Sequence, residues 1–293
     1  MQQQVLPLSL KMTAALLSGM SRPFPELTAR LFYRMYCTPP GQKMRPTHLQ
    51  LKDAAQVRQL DVTSYAFDSR PVSITTYRWG KSDRKILVVH GWGGSPLHFK
   101  QLVQLLVSAG FEVVSYDAPA HGTSGGRRTN LVQWMHVFEQ VMRQEGELYG
   151  VVAHSLGGLS AALALARMDL HVPRLVMVSS ALSAPAIFDE AFRLFHIHPV
   201  VMPHLKGLIR ERLQAEMEEM DLHLYINKIQ AGRIFIAYDT TDQLVDSRQI
   251  DAYLEQAPDI KSLRITGEGH FRIMRQKAVL DGILSFLGAV AVK

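Results

Sequence analysis

From residue 85 onward, short apolar runs alternate with stretches of helical periodicity. Ile86-Leu87-Val88-Val89 and Phe111-Glu112-Val113-Val114-Ser115-Tyr116 read as strands, with a helix over Phe99 to Val107 between them and Gly110 as its stop. A helix over Leu131 to Met142, a strand over Leu148 to Ala153, an Ala-rich helix over Leu159 to Met168 and a strand at Leu175-Val176-Met177-Val178 follow. Strands that are apolar throughout, joined by helices, indicate a parallel sheet covered on both faces. The alternation then breaks. Residues 182–230 carry helical patterns rich in Phe, Leu and Met, but no clear core strand. It resumes with a strand at Ile234-Phe235-Ile236-Ala237, a helix over Val245 to Leu254, a short strand at Leu263-Arg264-Ile265 and a closing helix over Ala278 to Leu287.

The first part of the chain follows another pattern. Leu27, Leu31, Met35 and Tyr36 recur at helical spacing, with Arg30 and Arg34 between them, until Pro39-Pro40-Gly41 stops the helix. The plain expectation is a helix packed on the rest of the protein; the sharper one is a basic amphipathic helix touching a membrane surface through residues 24–37. Residues 59–79 read as two antiparallel strands, Val62, Ser64, Ala66 and Phe67 leading into a turn at Asp68-Ser69-Arg70-Pro71 before Val72 to Tyr77. The expected organisation is α/β: a mostly parallel central sheet with helices on both faces, formed by 46–181 and 231–293. Residues 1–45 form a helical extension and 182–230 a helical lid. Open α/β sheets keep their sites at the carboxyl edge of the strands, which such an insertion would cover.

Composition narrows the function. The 293 residues are 47% hydrophobic, enough for one large core, and no apolar run reaches the length of a membrane span. Met1-Gln2-Gln3-Gln4 lacks the basic start of a secretory signal. The single cysteine, Cys37, excludes an internal disulfide framework, so a reducing, cytoplasmic setting is expected. The net charge of +6 comes from scattered residues rather than a basic stripe, which argues against nucleic acid as a partner. No Gly-Lys-Ser or Gly-Lys-Thr is present, which argues against a phosphate-cradling loop. His196, His198 and His204 lack the carboxylate or cysteine partners of a metal centre.

The decisive segment is Leu148-Tyr149-Gly150-Val151-Val152-Ala153-His154-Ser155-Leu156-Gly157-Gly158. An apolar strand runs into a tight turn centred on a serine, then into a helix of small residues. Ala153 and Gly157, two positions to either side, are small enough for the turn to pass close to its neighbours. The Leu156 N–H, at the start of the helix, can face an oxyanion, aided by the positive end of the helix. A serine in an ordinary strand–helix turn is the competing reading of this segment taken alone.

Here the chain resembles the α/β-hydrolase family, whose usual Gly-x-Ser-x-Gly stands in this sequence as Ala-His-Ser-Leu-Gly. The resemblance covers residues 60–290 and implies several roles. His90-Gly91-Trp92-Gly93-Gly94 looks like the loop that supplies the second oxyanion donor, here the Trp92 backbone N–H, with His90 and Gly91 supporting it. Tyr116-Asp117-Ala118-Pro119-Ala120-His121-Gly122 is similar to the family's Asp-x-x-Gly-His-Gly loop, in which Asp117 and His121 would brace the oxyanion site. The base should follow the last strand, where Gly267-Glu268-Gly269-His270-Phe271 presents His270. The acid should follow the strand at 233–238. Two candidates stand there, and Asp242, three residues before Val245, matches the family pattern better than Asp239, which is expected to make a turn. The order Ser155, Asp242, His270 is the one this fold uses.

These residues together imply a serine hydrolase of carboxylic esters with no metal or organic cofactor, acting on a small-molecule substrate through an acyl-enzyme. His154 and Phe271 beside the reacting groups, and Phe188, Phe192 and Phe195 of the insertion, are candidate pocket residues and favour an apolar or aromatic acyl group. Thioester, monoacyl-lipid and carbon–carbon bond hydrolysis use the same parts, and a catalytically silent binding protein is the alternative of another class.

Overall fold

The structure is a computed structural model that describes residues 8–41, 45–63, 65 and 71–288. Eight strands form one sheet: β1 (Gln56–Thr63), β2 (Pro71–Trp79), β3 (Lys85–Val89), β4 (Glu112–Tyr116), β5 (Gly150–His154), β6 (Val172–Val178), β7 (Ala231–Asp239) and β8 (Lys261–Ile265). Their order is β1-β2-β4-β3-β5-β6-β7-β8. β2 pairs antiparallel with β1 and with β4; every other pairing is parallel. The expected turn before Pro71, with Ser64, Ala66 and Phe67, lies outside the described residues.

The alternating pattern places the core. Ile86 to Val89 of β3 and Val151 to Ala153 of β5 are buried on both faces, as central strands of a doubly covered sheet must be. The helix Lys100–Ser108 turns Leu102, Val103 and Leu106 inward, and the closing helix Lys277–Leu287 turns in Val279, Ile283, Leu284 and Leu287. All of these except the β5 residues Val151 and Ala153 and the β3 residues Leu87 and Val89 belong to one hydrophobic cluster with Val152, Val176 and Ala237.

The chain divides into two compact units. The larger spans residues 39–182 and 222–293 and contains the whole sheet; the smaller spans 1–38 and 183–221. Residues 183–221 of the insertion thus fall in one unit with the N-terminal helix, while 182 and 222–230 fall with the sheet. Within the smaller unit lie the helices Leu8–Ser21, Pro25–Tyr36, Ala184–Leu194 and Met202–Leu213. The helix Pro25–Tyr36 buries Thr28, Ala29, Phe32 and Tyr33 and leaves Leu27, Arg30, Leu31 and Arg34 outside. Phe32 is fully buried, and its ring centroid lies 5.2 Å from Phe192 and 6.3 Å from both Phe188 and Phe195. These three insertion phenylalanines, expected to line a substrate pocket, pack around Phe32 in the small unit's own core, and Phe192 also lines a cavity of that unit with Ser18, Asp189 and Met202. Their apolar periodicity has its physical explanation there. Among the described residues no helix is long and apolar enough to cross a membrane.

Candidate active site

The strand β5 ends at His154, and the helix Leu156–Arg167 begins one residue later. Ser155 bridges them at φ 55° and ψ −127°, a region side-chain-bearing residues rarely occupy and one that stores strain at functional turns. The turn is possible because its neighbours are small. A methyl group on Gly157 would sit 2.3 Å from the His90 carbonyl oxygen, and one on Gly91 would sit 2.7 Å from the Ser155 Cβ. Either contact would force backbone apart. The Leu156 N–H lies in the first turn of the helix, where amides have no partner within the helix itself.

Ser155 and His270 meet across 115 residues of sequence. Ser155 Oγ and His270 Nε2 are 2.8 Å apart, and His270 Nδ1 lies 2.8 Å from Asp242 Oδ2. Asp242 Oδ1 accepts from the Leu244 and Val245 N–H groups at 2.8 and 3.0 Å. Burial pushes the Asp242 carboxyl up, but the His270 hydrogen bond and charge and the two amides outweigh it and hold the group below its ordinary value. An ionised Asp242 accepts only, so Nδ1 carries the imidazole proton and Nε2 faces Ser155 as an acceptor. Both side chains are nearly sealed from solvent.

Asp239 does more than the turn expected from sequence. Its Oδ1 does accept from the Thr241 N–H and hydroxyl, both at 2.6 Å. The carboxylate also accepts from the N–H groups of Gly267 at 3.3 Å, Glu268 at 2.7 Å and Gly269 at 3.1 Å. Burial raises its pKa, but the Thr241, Glu268 and Gly269 donors together lower it by more, so the net position is below the ordinary range. It fixes the backbone that carries His270. His154 does the same from the other side: its Nε2–H donates to the His270 carbonyl at 2.9 Å. Neither link could be read from sequence, since both run to backbone atoms that only the fold brings near. The one available signal is that two aspartates three residues apart follow β7.

The two loops after β3 and β4 are locked together by histidines. His90 Nδ1–H donates to the Gly91 carbonyl at 2.7 Å, and its Nε2 accepts from the Ala118 N–H at 2.9 Å. His121 Nδ1–H donates to the Pro119 carbonyl, and its Nε2 accepts from the Gly93 N–H, both at 3.0 Å. With both ring nitrogens engaged, neither imidazole is available as a base. Burial lowers the pKa of His90 to about 4 and that of His121 to about 3. The Trp92 ring rests near His121, with centroids 5.2 Å apart. Asp117 is buried and accepts from Ser95 Oγ at 2.7 Å, Tyr77 Oη at 2.8 Å and the Thr123 N–H at 2.9 Å. A methyl on Gly122, which sits at φ 51°, would lie 2.0 Å from its Oδ2. Among the described residues no group of three or more His, Cys, Asp or Glu could hold a metal ion.

Comparison with known proteins gives the same frame. Residues 86–281 match the profile of the Alpha/beta hydrolase family. Methyl jasmonate esterase 1 of Vitis vinifera is 31% identical over 110 residues, 36% of this chain and 42% of that protein. The chain thus spans about two fifths of the length of that curated relative. Among solved structures, the esterase Pf2001 of Pyrococcus furiosus superposes with a TM-score of 0.63 at 18% identity, over 86% of this chain and 96% of that one. A membrane phospholipase A, described as a bacterial virulence factor, gives 0.60 at 17% identity over 96% and 97%. Est1E from Butyrivibrio proteoclasticus, solved with ferulic acid, gives 0.57 at 17% identity over 78% and 99%. At these identities the solved structures carry the fold and nothing finer.

Proposed function

This chain belongs to the α/β-hydrolase family, and we propose that it is a serine hydrolase of carboxylic esters with Ser155 as nucleophile, His270 as base and Asp242 as the acid. The observation that carries the reading is the relay from Ser155 Oγ through His270 to Asp242, two contacts of 2.8 Å each. A serine hydroxyl is a weak nucleophile at neutral pH and needs a base whose tautomer is fixed. Here His270 Nε2 accepts the Ser155 proton as Oγ attacks the ester carbonyl. The oxyanion forms facing the N–H groups of Leu156 and Trp92, each such donor being worth roughly 3 kcal/mol. The imidazolium, steadied by Asp242, then returns the proton to the departing alcohol. Water, activated by the same ring, cleaves the acyl-enzyme and frees the acid.

Several features support the finer points. Residues 182–230 are read as a lid because they are inserted after β6, whose carboxyl end lies beside that of β5 in the sheet. A lone cysteine, which is buried, supports a reducing, cytoplasmic setting. The esterase names of the relatives agree with an ester substrate.

A fluorophosphonate probe should label the wild type and leave Ser155→Ala unlabelled. Turnover across p-nitrophenyl esters of rising chain length should be abolished in the same variant. Labelling at another residue, or full turnover by Ser155→Ala, overturns the assignment.

A further inference from the structure

We propose that the substrate ester also carries a carboxylate, and that Arg45 and Arg275 receive it in a cavity beside Ser155. This inference rests on the serine-hydrolase reading and adds to it the chemical class of the substrate.

The larger unit holds a cavity of about 380 Å³ whose wall includes Gly91, Trp92, His154, Phe271, Arg45 and Arg275. Four of these flank the reacting groups. Gly91 and Trp92 belong to the proposed oxyanion loop, His154 precedes Ser155, and Phe271 follows His270. Gly91 packs so closely on Ser155 that a methyl group there would collide with its Cβ. Ser155 and His270 do not themselves line the cavity; it adjoins Ser155 through Gly91, and a substrate reaching into it would pass the Gly91-Trp92 loop.

The charge of the cavity is one-sided. Among the described residues its lining contains two guanidiniums and no carboxylate. Among the described residues, Arg45 and Arg275 are in no ion pair, unlike Arg78 and Arg143 but like Arg58, Arg84 and Arg233. The field of the two cations reaches into the wall. His98 is pushed down to about 4 by burial, by His48, and then by Arg45 and Arg275 against the opposing pull of Asp117. His48 is lowered by burial and then by the same two arginines. A planar carboxylate matches the guanidinium fork in geometry as well as sign. Phe271, two-thirds exposed, supplies apolar surface at the same mouth. The combination fits an ester with an apolar body and an anionic end.

Two matched pairs test this. Mono-p-nitrophenyl glutarate against its amide, p-nitrophenyl glutaramate, places the charge on the acyl side. 4-Acetoxybenzoate against 4-acetoxybenzamide places it on the alcohol side. In at least one pair the wild type should prefer the charged ester by about fivefold or more in kcat/KM, chiefly through KM, because two cations on exposed residues give a moderate gain. The ratio should fall toward one in Arg45→Met/Arg275→Met and be largely kept in Arg45→Lys/Arg275→Lys. Added salt should lower it in the wild type, since such attraction is screened. A ratio at or below one in both pairs overturns the proposal, as does a preference that survives the double Met variant. If that variant no longer takes a fluorophosphonate label, the salt series decides, and a ratio that ignores salt overturns it. Failure of the underlying hydrolase reading looks different: no ester of either pair is turned over and Ser155 is not labelled.

Discussion

Among single side chains, the sharpest expectations attach to groups that steer His270. Replacing Asp242 by Asn should preserve the fold and lower kcat by roughly 10³–10⁴-fold, because the amide no longer fixes the proton on Nδ1. Asp239 is a positioning residue. Asp239→Asn would turn an NH₂ group toward one set of the N–H donors it now accepts, from Thr241 or from 267–269. We expect a loss of about 1–3 kcal/mol in denaturant unfolding and a fall in kcat with little change in KM; an unchanged kcat refutes the positioning role. His154→Gln should behave more mildly, since an amide N–H can still reach the His270 carbonyl, whereas His154→Ala removes the link. Gly157 offers a steric control. Its Cβ position lies against a backbone oxygen rather than a flexible side chain, so Gly157→Ala should cost about 1–3 kcal/mol through forced shifts of the turn.

At the level of elements, the small unit's helices are held by their aromatic faces. Phe32 sits among Phe188, Phe192 and Phe195, so Phe32→Ala should cost about 3–5 kcal/mol if the unit unfolds as one body. Removing residues 24–37 takes this ring away, so we expect the deletion to disrupt the small unit, seen as early protease cleavage within 183–221. Leu27→Ser/Leu31→Ser, on the outer face, should leave unfolding unchanged, and liposome sedimentation of that variant measures any membrane contact directly. These elements also show what the sequence carried. The helix Pro25–Tyr36 is legible in extent, because prolines bracket it, but not in facing: Leu27 and Leu31 of the expected stripe lie outside, and Phe32 and Tyr33 are buried instead. The helix Leu8–Ser21 was missed because apolar residues occur all round it and no polar stripe marks a face. The strands β3 to β7 are legible as apolar runs, whereas β8, with Lys261, Ser262 and Arg264, shows only Leu263 and Ile265 as alternating apolar positions. The insertion's phenylalanines were legible as buried, but periodicity does not say against what, and a core ring and a pocket ring leave the same trace. The triad was legible because each member follows a strand end in an order few other folds use. The braces at Asp239 and His154 were not, because their partners are backbone amides and carbonyls that leave no mark on residue identity.

Taken as a whole, the molecule buries several neutral imidazoles. Burial lowers His90 and His98 to about 4, and His121 and His154 to about 3, from an ordinary value of 6.5. The unfolded chain protonates these rings at higher pH than the folded one. Between about 6.5 and 4 the unfolded state therefore binds more protons, and stability rises with pH. We expect the melting temperature to drop steadily as pH falls through that window, with a shallower slope in His121→Gln. Asp239 and Asp242 act in a lower range. Their folded values are depressed, so the stability they give is complete above the ordinary carboxylate range and is lost only as the pH falls through the lowered values. A melting temperature that stays flat from pH 6.5 to 4.5 contradicts the first part. The glycines on either side of Glu268 make the His270 segment look like the pliable part of the site, but Asp239 at the end of one strand and Asp242 three residues on grip it twice, one by its main chain and one by its ring. The address of the proton carrier is written in the spacing of that short stretch. One residue added between the two aspartates would spare the sheet and the core, yet it would send ring and main chain to different places, so loop grafting here should keep 239–242 intact and vary what lies beyond it.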